Sequence, residues 1–142
     1  MTQRLNAFQT APDAYKAMLG LQELVKIRAS QLNRCAYCLH MHIADARKAG
    51  ETEARIALLS AWEESELYTP RERAALRWTE ELTRLTERSP SDEAFAELRE
   101  HFSEQEAVDL SVAIGMINVW NRINCGFRTR HPNDRRREPA AA

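Results

Sequence analysis

Residues 21–42 read LQELVKIRASQLNRCAYCLHMH, a pattern that predicts two helices joined by a short turn. Leu21, Leu24 and Val25 begin a repeat at helical spacing, which marks one face of the first helix for the core. The turn is expected near residues 32–34, because Asn33 and Arg34 interrupt the apolar repeat. The two helices should therefore pack side by side as an antiparallel hairpin.

The rest of the chain also favours helix. Only four glycines and five prolines occur in 142 residues, and no strand-like alternation is present, so we expect an all-α, single-domain bundle of about six helices. The expected helices cover residues 12–33, 35–49, 53–62, 70–87, 92–101 and 104–126. Capping boxes at Thr69 and Ser103 mark two of the starts. The last helix is apolar enough that we expect it to be the buried centre.

The domain boundary is expected at Gly126. Residues 1–126 form the predicted helical domain, while residues 127–142 are rich in arginine and lack an apolar face, which predicts a mobile basic tail.

Composition narrows the class of protein. A net charge of −1 gives no general attraction to nucleic acid, and no apolar run approaches the ~20 residues of a membrane span. No secretory signal follows the N-terminal Met, so we expect a cytoplasmic protein that binds neither nucleic acid nor membrane. In such a compartment, two of three cysteines in a CxxC motif indicate redox or metal chemistry.

The motif Cys35-x-x-Cys38-x-x-x-His42 carries the chemistry. A free thiol has a pKa near 8.5 and reacts as its thiolate, so a reactive cysteine needs a group that stabilises that anion. The start of a helix supplies a positive dipole end, and His42, one turn beyond Cys38, can take its proton. We therefore expect Cys38 to be the nucleophile and Cys35 the thiol that resolves its sulfenic acid to a disulfide.

Glu23 is the expected partner of His42. The turn lies halfway between them, so each is about 13 to 15 Å from it at about 1.5 Å per residue. The two side chains should face each other across the hairpin, and a carboxylate there orients the imidazole and increases its basicity.

These residues resemble the alkylhydroperoxidase D-like proteins of the carboxymuconolactone decarboxylase superfamily. The likeness covers about residues 14–125 and includes 24–38, 69–76 and 118–122. It implies an all-helical fold, assembly into homotrimers or homohexamers, and thiol-dependent reduction of an alkyl hydroperoxide as antioxidant defence. It also implies catalytic roles for Cys38, Cys35, His42 and Glu23. Tyr37 departs from the pattern, because a histidine is expected at that motif position.

The same resemblance implies the partners: a small hydroperoxide as substrate and a lipoyl or thioredoxin-like dithiol protein as reductant, with no cofactor and no bound metal. Other functions remain open. The CxxC pair can serve a redox sensor or a general thiol–disulfide oxidoreductase, and the superfamily also contains lactone decarboxylases. Cys35, Cys38 and His42, with His40, also suit tetrahedral zinc.

Overall fold

The computed structural model describes residues 19–131, which form six α-helices, one 3₁₀ helix and no strand. The helices are α1 (Leu19–Leu32), α2 (Ala36–Lys48), α3 (Glu53–Leu58), the 3₁₀ helix (Leu59–Glu64), α4 (Pro70–Thr83), α5 (Asp92–His101) and α6 (Glu104–Gly126). The all-α prediction is confirmed. The predicted beginning of the first helix at residue 12, and the predicted tail beyond residue 131, lie outside the described residues.

The two capping boxes form as the sequence indicates. The Thr69 hydroxyl accepts a hydrogen bond from the backbone N–H of Glu72, whose carboxylate accepts one from the backbone N–H of Thr69. Ser103 and Glu106 make the same reciprocal pair at the start of α6. Each box satisfies two backbone donors that a helix start leaves without partners, which fixes where α4 and α6 begin.

Two helices end earlier than predicted. The helix expected over 53–62 gives way to the 3₁₀ helix, where Ala61 has φ −120° and ψ 31°. The Arg73 guanidinium donates to the backbone carbonyls of Trp62, Glu63 and Ser65, so this segment is shaped by a tertiary contact. The helix expected to reach residue 87 ends at Thr83 in a turn over residues 84–87.

The central helix is α1 and not the last helix, which corrects our expectation. Leu24, Val25 and Ile27 are fully buried, with Val25 in one apolar cluster and Leu24 and Ile27 in the other. In α6 the face carrying Ile114 is buried, whereas Trp120 on the opposite side is half-exposed. The helix is apolar on more than one side, but among residues 19–131 only one side is covered.

The turn between α1 and α2 is fixed by a Schellman motif. The backbone N–H of Cys35 donates to the Ser30 carbonyl at 3.0 Å, and that of Arg34 donates to the Gln31 carbonyl at 3.2 Å. Arg34 takes the left-handed conformation, with φ 56°, that this motif requires. Cys35 therefore closes α1 and is also the N-cap of α2, so its position is set from both sides.

Within residues 19–131 we find no helix that is long and apolar enough to cross a membrane.

Candidate active site

The two motif cysteines lie together at the start of α2. Their sulfurs are at disulfide distance and their Cα atoms are 5.4 Å apart. Both side chains are buried, with 1% of Cys35 and 0% of Cys38 exposed. The Cys35 sulfur accepts a hydrogen bond from the backbone N–H of Cys38, over 3.4 Å. One of the backbone donors that the helix start leaves free therefore serves Cys35.

Glu23 and His42 meet across the hairpin, as the equal spacing from the turn predicts. The Glu23 Oε2 atom lies 3.0 Å from His42 Nδ1, and its Oε1 atom accepts a hydrogen bond from the Lys26 ammonium at 2.8 Å. Burial alone raises the pKa of the Glu23 carboxyl, but the hydrogen bonds with His42 and Lys26 outweigh it and hold that pKa below its usual value. Glu23 is therefore an anion at neutral pH.

The ionised carboxylate determines which nitrogen of His42 acts as a base. An anion beside Nδ1 favours the tautomer in which Nδ1 carries the proton and donates it to Glu23. The Nε2 atom then keeps its lone pair, available to take a proton. Because His42 is buried one helical turn after Cys38, its imidazole is held in the same region as the thiol.

Asn124, in α6, is a site residue that our reading of the sequence missed. Its side-chain Nδ2 lies 3.5 Å from the Cys38 sulfur. The sequence does carry a signal, since Asn118, Asn121 and Asn124 recur every three residues in a helix, a setting in which asparagine is unfavourable. Asn118 and Asn121 both accept hydrogen bonds, at 2.9 Å, from the side-chain amide of Asn33 in the turn before Cys35. These hydrogen bonds hold α6 against the turn that precedes Cys35.

A pocket of about 450 Å³ opens beside the cysteine pair. Its polar wall includes His42 and Asn124, and Lys26 lies at one side. The remaining lining is mostly apolar or aromatic: Tyr37, Met41, Ala113, Met116, Ile117 and Trp120. Since Asn124 contacts both the pocket and the Cys38 sulfur, the pocket lies one side chain away from the buried redox pair.

Among the described residues, the side chains close enough together to bind a metal ion are not those of the zinc alternative. Ligand atoms of Glu23, His42 and Asp45 lie within 4.8 Å of one another. The Lys26 ammonium, which contacts the same Glu23 carboxylate, opposes a second cation there. The thiols of the zinc alternative are engaged with each other in the disulfide. The arrangement suits proton transfer better than metal binding.

Two other sequence candidates lie apart from this chemistry. The His40 ring packs edge-on against the ring of His131, with the centroids 3.9 Å apart. Cys125 is a free, exposed thiol near the end of α6, and its sulfur lies 4.0 Å from the Asn33 carbonyl oxygen.

The fold and the site together define an all-helical protein with a buried CxxC pair beside a carboxylate–imidazole pair. A family model, described as the carboxymuconolactone decarboxylase family, matches residues 14–81, which contain all four predicted site residues. The chain belongs to this family and is an alkylhydroperoxidase D-like member of it.

The chain is also similar to individual proteins and solved structures. Uncharacterized protein YdfG of Bacillus subtilis is 41% identical over 143 residues, covering 92% of this chain and 97% of YdfG. A crystal structure from Agrobacterium tumefaciens, of a protein of unknown function proposed to be the antioxidant defence protein AhpD, has a TM-score of 0.77 and is 42% identical. It covers 94% of this chain and 100% of that one. An uncharacterized peroxidase-related protein from Silicibacter shares the fold, with a TM-score of 0.71 at 22% identity over 86% of this chain and 70% of its own.

Proposed function

We propose that this protein is a thiol-dependent peroxidase that reduces alkyl hydroperoxides through the Cys35–Cys38 pair, as an antioxidant defence. The observation that carries the proposal is the placement of a buried cysteine pair beside an ionised Glu23 and its hydrogen-bonded His42. Membership of the carboxymuconolactone decarboxylase family, and similarity to a structure proposed to be the antioxidant defence protein AhpD, support an antioxidant role.

The reaction begins with the reduced pair. His42 takes the proton of the Cys38 thiol, and the thiolate attacks the terminal oxygen of the hydroperoxide. The O–O bond breaks, the sulfur becomes a sulfenic acid, and the leaving alkoxide takes the proton back from His42 to form an alcohol. The Cys35 thiol then attacks the Cys38 sulfur, which forms the disulfide and releases water. Two thiols and one hydroperoxide thus give one disulfide, one alcohol and one water.

The reductant in this proposal is a dithiol protein. Two electrons and two protons must return to the disulfide in each cycle, and a lipoyl or thioredoxin-like dithiol supplies both. The hydroperoxide enters the pocket beside Cys38, whose largely apolar lining favours an organic peroxide over a fully polar one.

The test measures hydroperoxide consumption by the wild-type protein with a supplied dithiol, together with Cys38→Ser and Cys35→Ser. We expect sustained turnover for the wild type and no reaction for Cys38→Ser. Cys35→Ser should react once and stop at the sulfenic acid, which a dimedone-type probe traps. The reverse pattern, with Cys35→Ser inert and Cys38→Ser reactive, would exchange the two roles.

The same assay separates the alternatives. A redox sensor forms the disulfide once but shows no steady-state turnover with any dithiol. A lactone decarboxylase consumes a lactone acid with the cysteine pair replaced by serine. Either result would overturn the peroxidase assignment.

A further inference from the structure

Asn124 contacts the reacting sulfur from a different helix. We propose that Asn124 is a catalytic residue whose side-chain amide donates a hydrogen bond to the Cys38 sulfur and stabilises its thiolate. The inference rests on the proposed function for the reaction that this thiolate performs, but the contact itself is a property of the fold. The Nδ2 atom lies 3.5 Å from the Cys38 sulfur.

The orientation of the Asn124 amide follows from its two neighbours. Nδ2 also donates to the backbone carbonyl of Trp120, at 3.0 Å. A carbonyl oxygen and a sulfur are both acceptors, so the nitrogen must face them, and the flipped amide would place oxygen against both. One N–H is thus anchored on α6 while the other points at Cys38.

The start of α2 explains why such a donor is needed. The backbone N–H of Cys38, one of the donors that the helix start leaves free, donates to the Cys35 sulfur at 3.4 Å and therefore serves the resolving cysteine. Cys38 is completely buried, and burial disfavours a thiolate unless a donor replaces the lost water. Asn124 supplies this donor without adding a charge that would compete with Glu23 for His42.

The contact strengthens when the disulfide is reduced. A disulfide sulfur is a weak neutral acceptor, whereas a thiolate is an anion, and hydrogen bonds to ionised groups are roughly twice as strong as neutral ones. Asn124 should therefore stabilise the reduced thiolate form more than the oxidised form. Its removal should leave the Cys38 thiol harder to ionise and the disulfide harder to reduce.

The test uses Asn124→Leu and Asn124→Asp, both close in shape to asparagine. For ionisation, the background is Cys35→Ser with Cys125→Ser, so that Cys38 is the thiol observed, and the readout is the pH midpoint of iodoacetamide alkylation. Loss of a hydrogen bond to an anion should raise the midpoint by about one pH unit for Leu. Asp should raise it further, because its carboxylate repels the thiolate.

The redox equilibrium provides the second readout. In a background that keeps Cys35 and Cys38 and carries only Cys125→Ser, Asn124→Leu should shift the balance with dithiothreitol at pH 9 toward the disulfide. The expected shift is up to about tenfold, equivalent to about 30 mV for this two-electron couple. The control Leu58→Ala truncates an exposed side chain of α3, outside the site and the pocket lining, and should change neither readout.

The expected pH midpoint of alkylation is highest for Asn124→Asp, lower for Asn124→Leu and lowest for wild type. This order depends on charge, so a residue with only a packing role would not produce it. Equal midpoints for Asn124→Leu, Asn124→Asp and wild type would overturn the inference even if the protein is an active peroxidase. A shifted midpoint in a protein without peroxide turnover would instead support the Asn124 contact and reject the proposed function. If Asn124→Leu does not fold, the midpoint of the isosteric Asn124→Asp variant tests the inference. Asn124→Ser restores a donor, so its midpoint should lie between those of wild type and Asn124→Asp.

Discussion

His42 and Glu23 give a pH-dependent prediction at the scale of single residues. His42→Ala should slow the reaction of reduced protein with hydroperoxide by about 10²- to 10⁴-fold near neutral pH, the usual cost of removing a positioned base. The defect should shrink above the ordinary thiol pKa of about 8.5, where the thiolate forms without a base. Stopped-flow rates between pH 6 and 10 measure this. A defect of constant size across that range would assign His42 a structural role.

Glu23→Gln should show the same pH pattern with a smaller loss. The glutamine keeps the shape of the side chain but removes the charge that supports the His42 imidazole, and Glu23 carries that charge at neutral pH because its pKa is lowered. Asp45→Asn is the matched control, because Asp45 is on the same helix as His42 and pairs with Lys48. A loss in Asp45→Asn as large as in His42→Ala would favour a metal held by these side chains.

The sequence was enough to anticipate the Glu23–His42 contact, but not the Asn124–Cys38 contact. The first lies within one hairpin, where the turn and the helical rise fix which residues face each other. The second joins residues 86 positions apart, so it depends on how α6 packs against the cysteine turn. Spacing within a helix reveals a shared face, but it does not identify the element that covers that face.

Between elements, Arg55 connects α3 to the start of α4. Its guanidinium donates to the carboxylates of Glu51 and Glu72, at 2.7 and 2.6 Å. Burial alone raises the pKa of the Glu72 carboxyl, but the Arg55 hydrogen bond, with those of Thr69, brings it below the usual value. A lowered folded-state pKa means that this contact stabilises the fold above the unfolded-state pKa. The contribution is lost as the pH falls through the folded-state value.

Glu72→Gln should accordingly destabilise the protein at neutral pH but not in acid. We expect a loss of about 1 kcal/mol in the free energy of unfolding at pH 7, because Arg55 is half-buried and keeps its hydrogen bonds to Glu51. The difference from wild type should begin to shrink as the pH falls below the ordinary glutamate pKa of about 4.3. It should disappear only below the lowered pKa of Glu72, where the wild-type carboxylate is also protonated. Urea unfolding at several pH values measures it. Glu53→Gln, in the exposed pair with Arg47, should show no measurable change.

The wrong prediction that α6 is the buried central helix also concerns how the elements pack together. Its apolar composition correctly predicted a long helix with a buried face, because Leu110, Ile114 and Ile117 are buried. The same composition did not reveal that the opposite face lacks a cover within the described part of the chain. An apolar helix face indicates that the face is buried, but it does not identify the surface that covers it, which can belong to this chain or to another copy.

At the scale of the whole molecule, that uncovered face predicts self-association. We define the α6 stripe as the exposed apolar residues Val112, Met116, Val119, Trp120 and Ile123. Such contiguous apolar surfaces mark protein contacts, and the stripe reaches the candidate active site because Met116 and Trp120 line its pocket. We propose that copies of the chain associate through this stripe as trimers or hexamers, so that a neighbouring copy completes the pocket wall.

Light scattering coupled to size exclusion tests the assembly. The wild type should elute as a trimer or larger at micromolar concentration, and Trp120→Glu should shift it toward the monomer, because a buried charge without a partner is costly. Leu58→Glu places the same charge on an exposed apolar residue of α3 and should leave the assembly intact. A wild-type monomer, or equal dissociation by both variants, would contradict the proposal.

The three-residue separation of Cys35 and Cys38 limits how much the disulfide contributes to folding stability. A cross-link restricts the unfolded chain more as the loop it closes grows, and in the chain-entropy model a loop this short contributes only about 2 kcal/mol. Opening it therefore leaves most of the folding stability in place, since the hairpin is also held by the Schellman motif and by the Asn33 hydrogen bonds to α6. Under the proposed function, the disulfide can therefore be broken and re-formed in every cycle while the surrounding fold stays intact, as in a cell that is recharged without being taken apart.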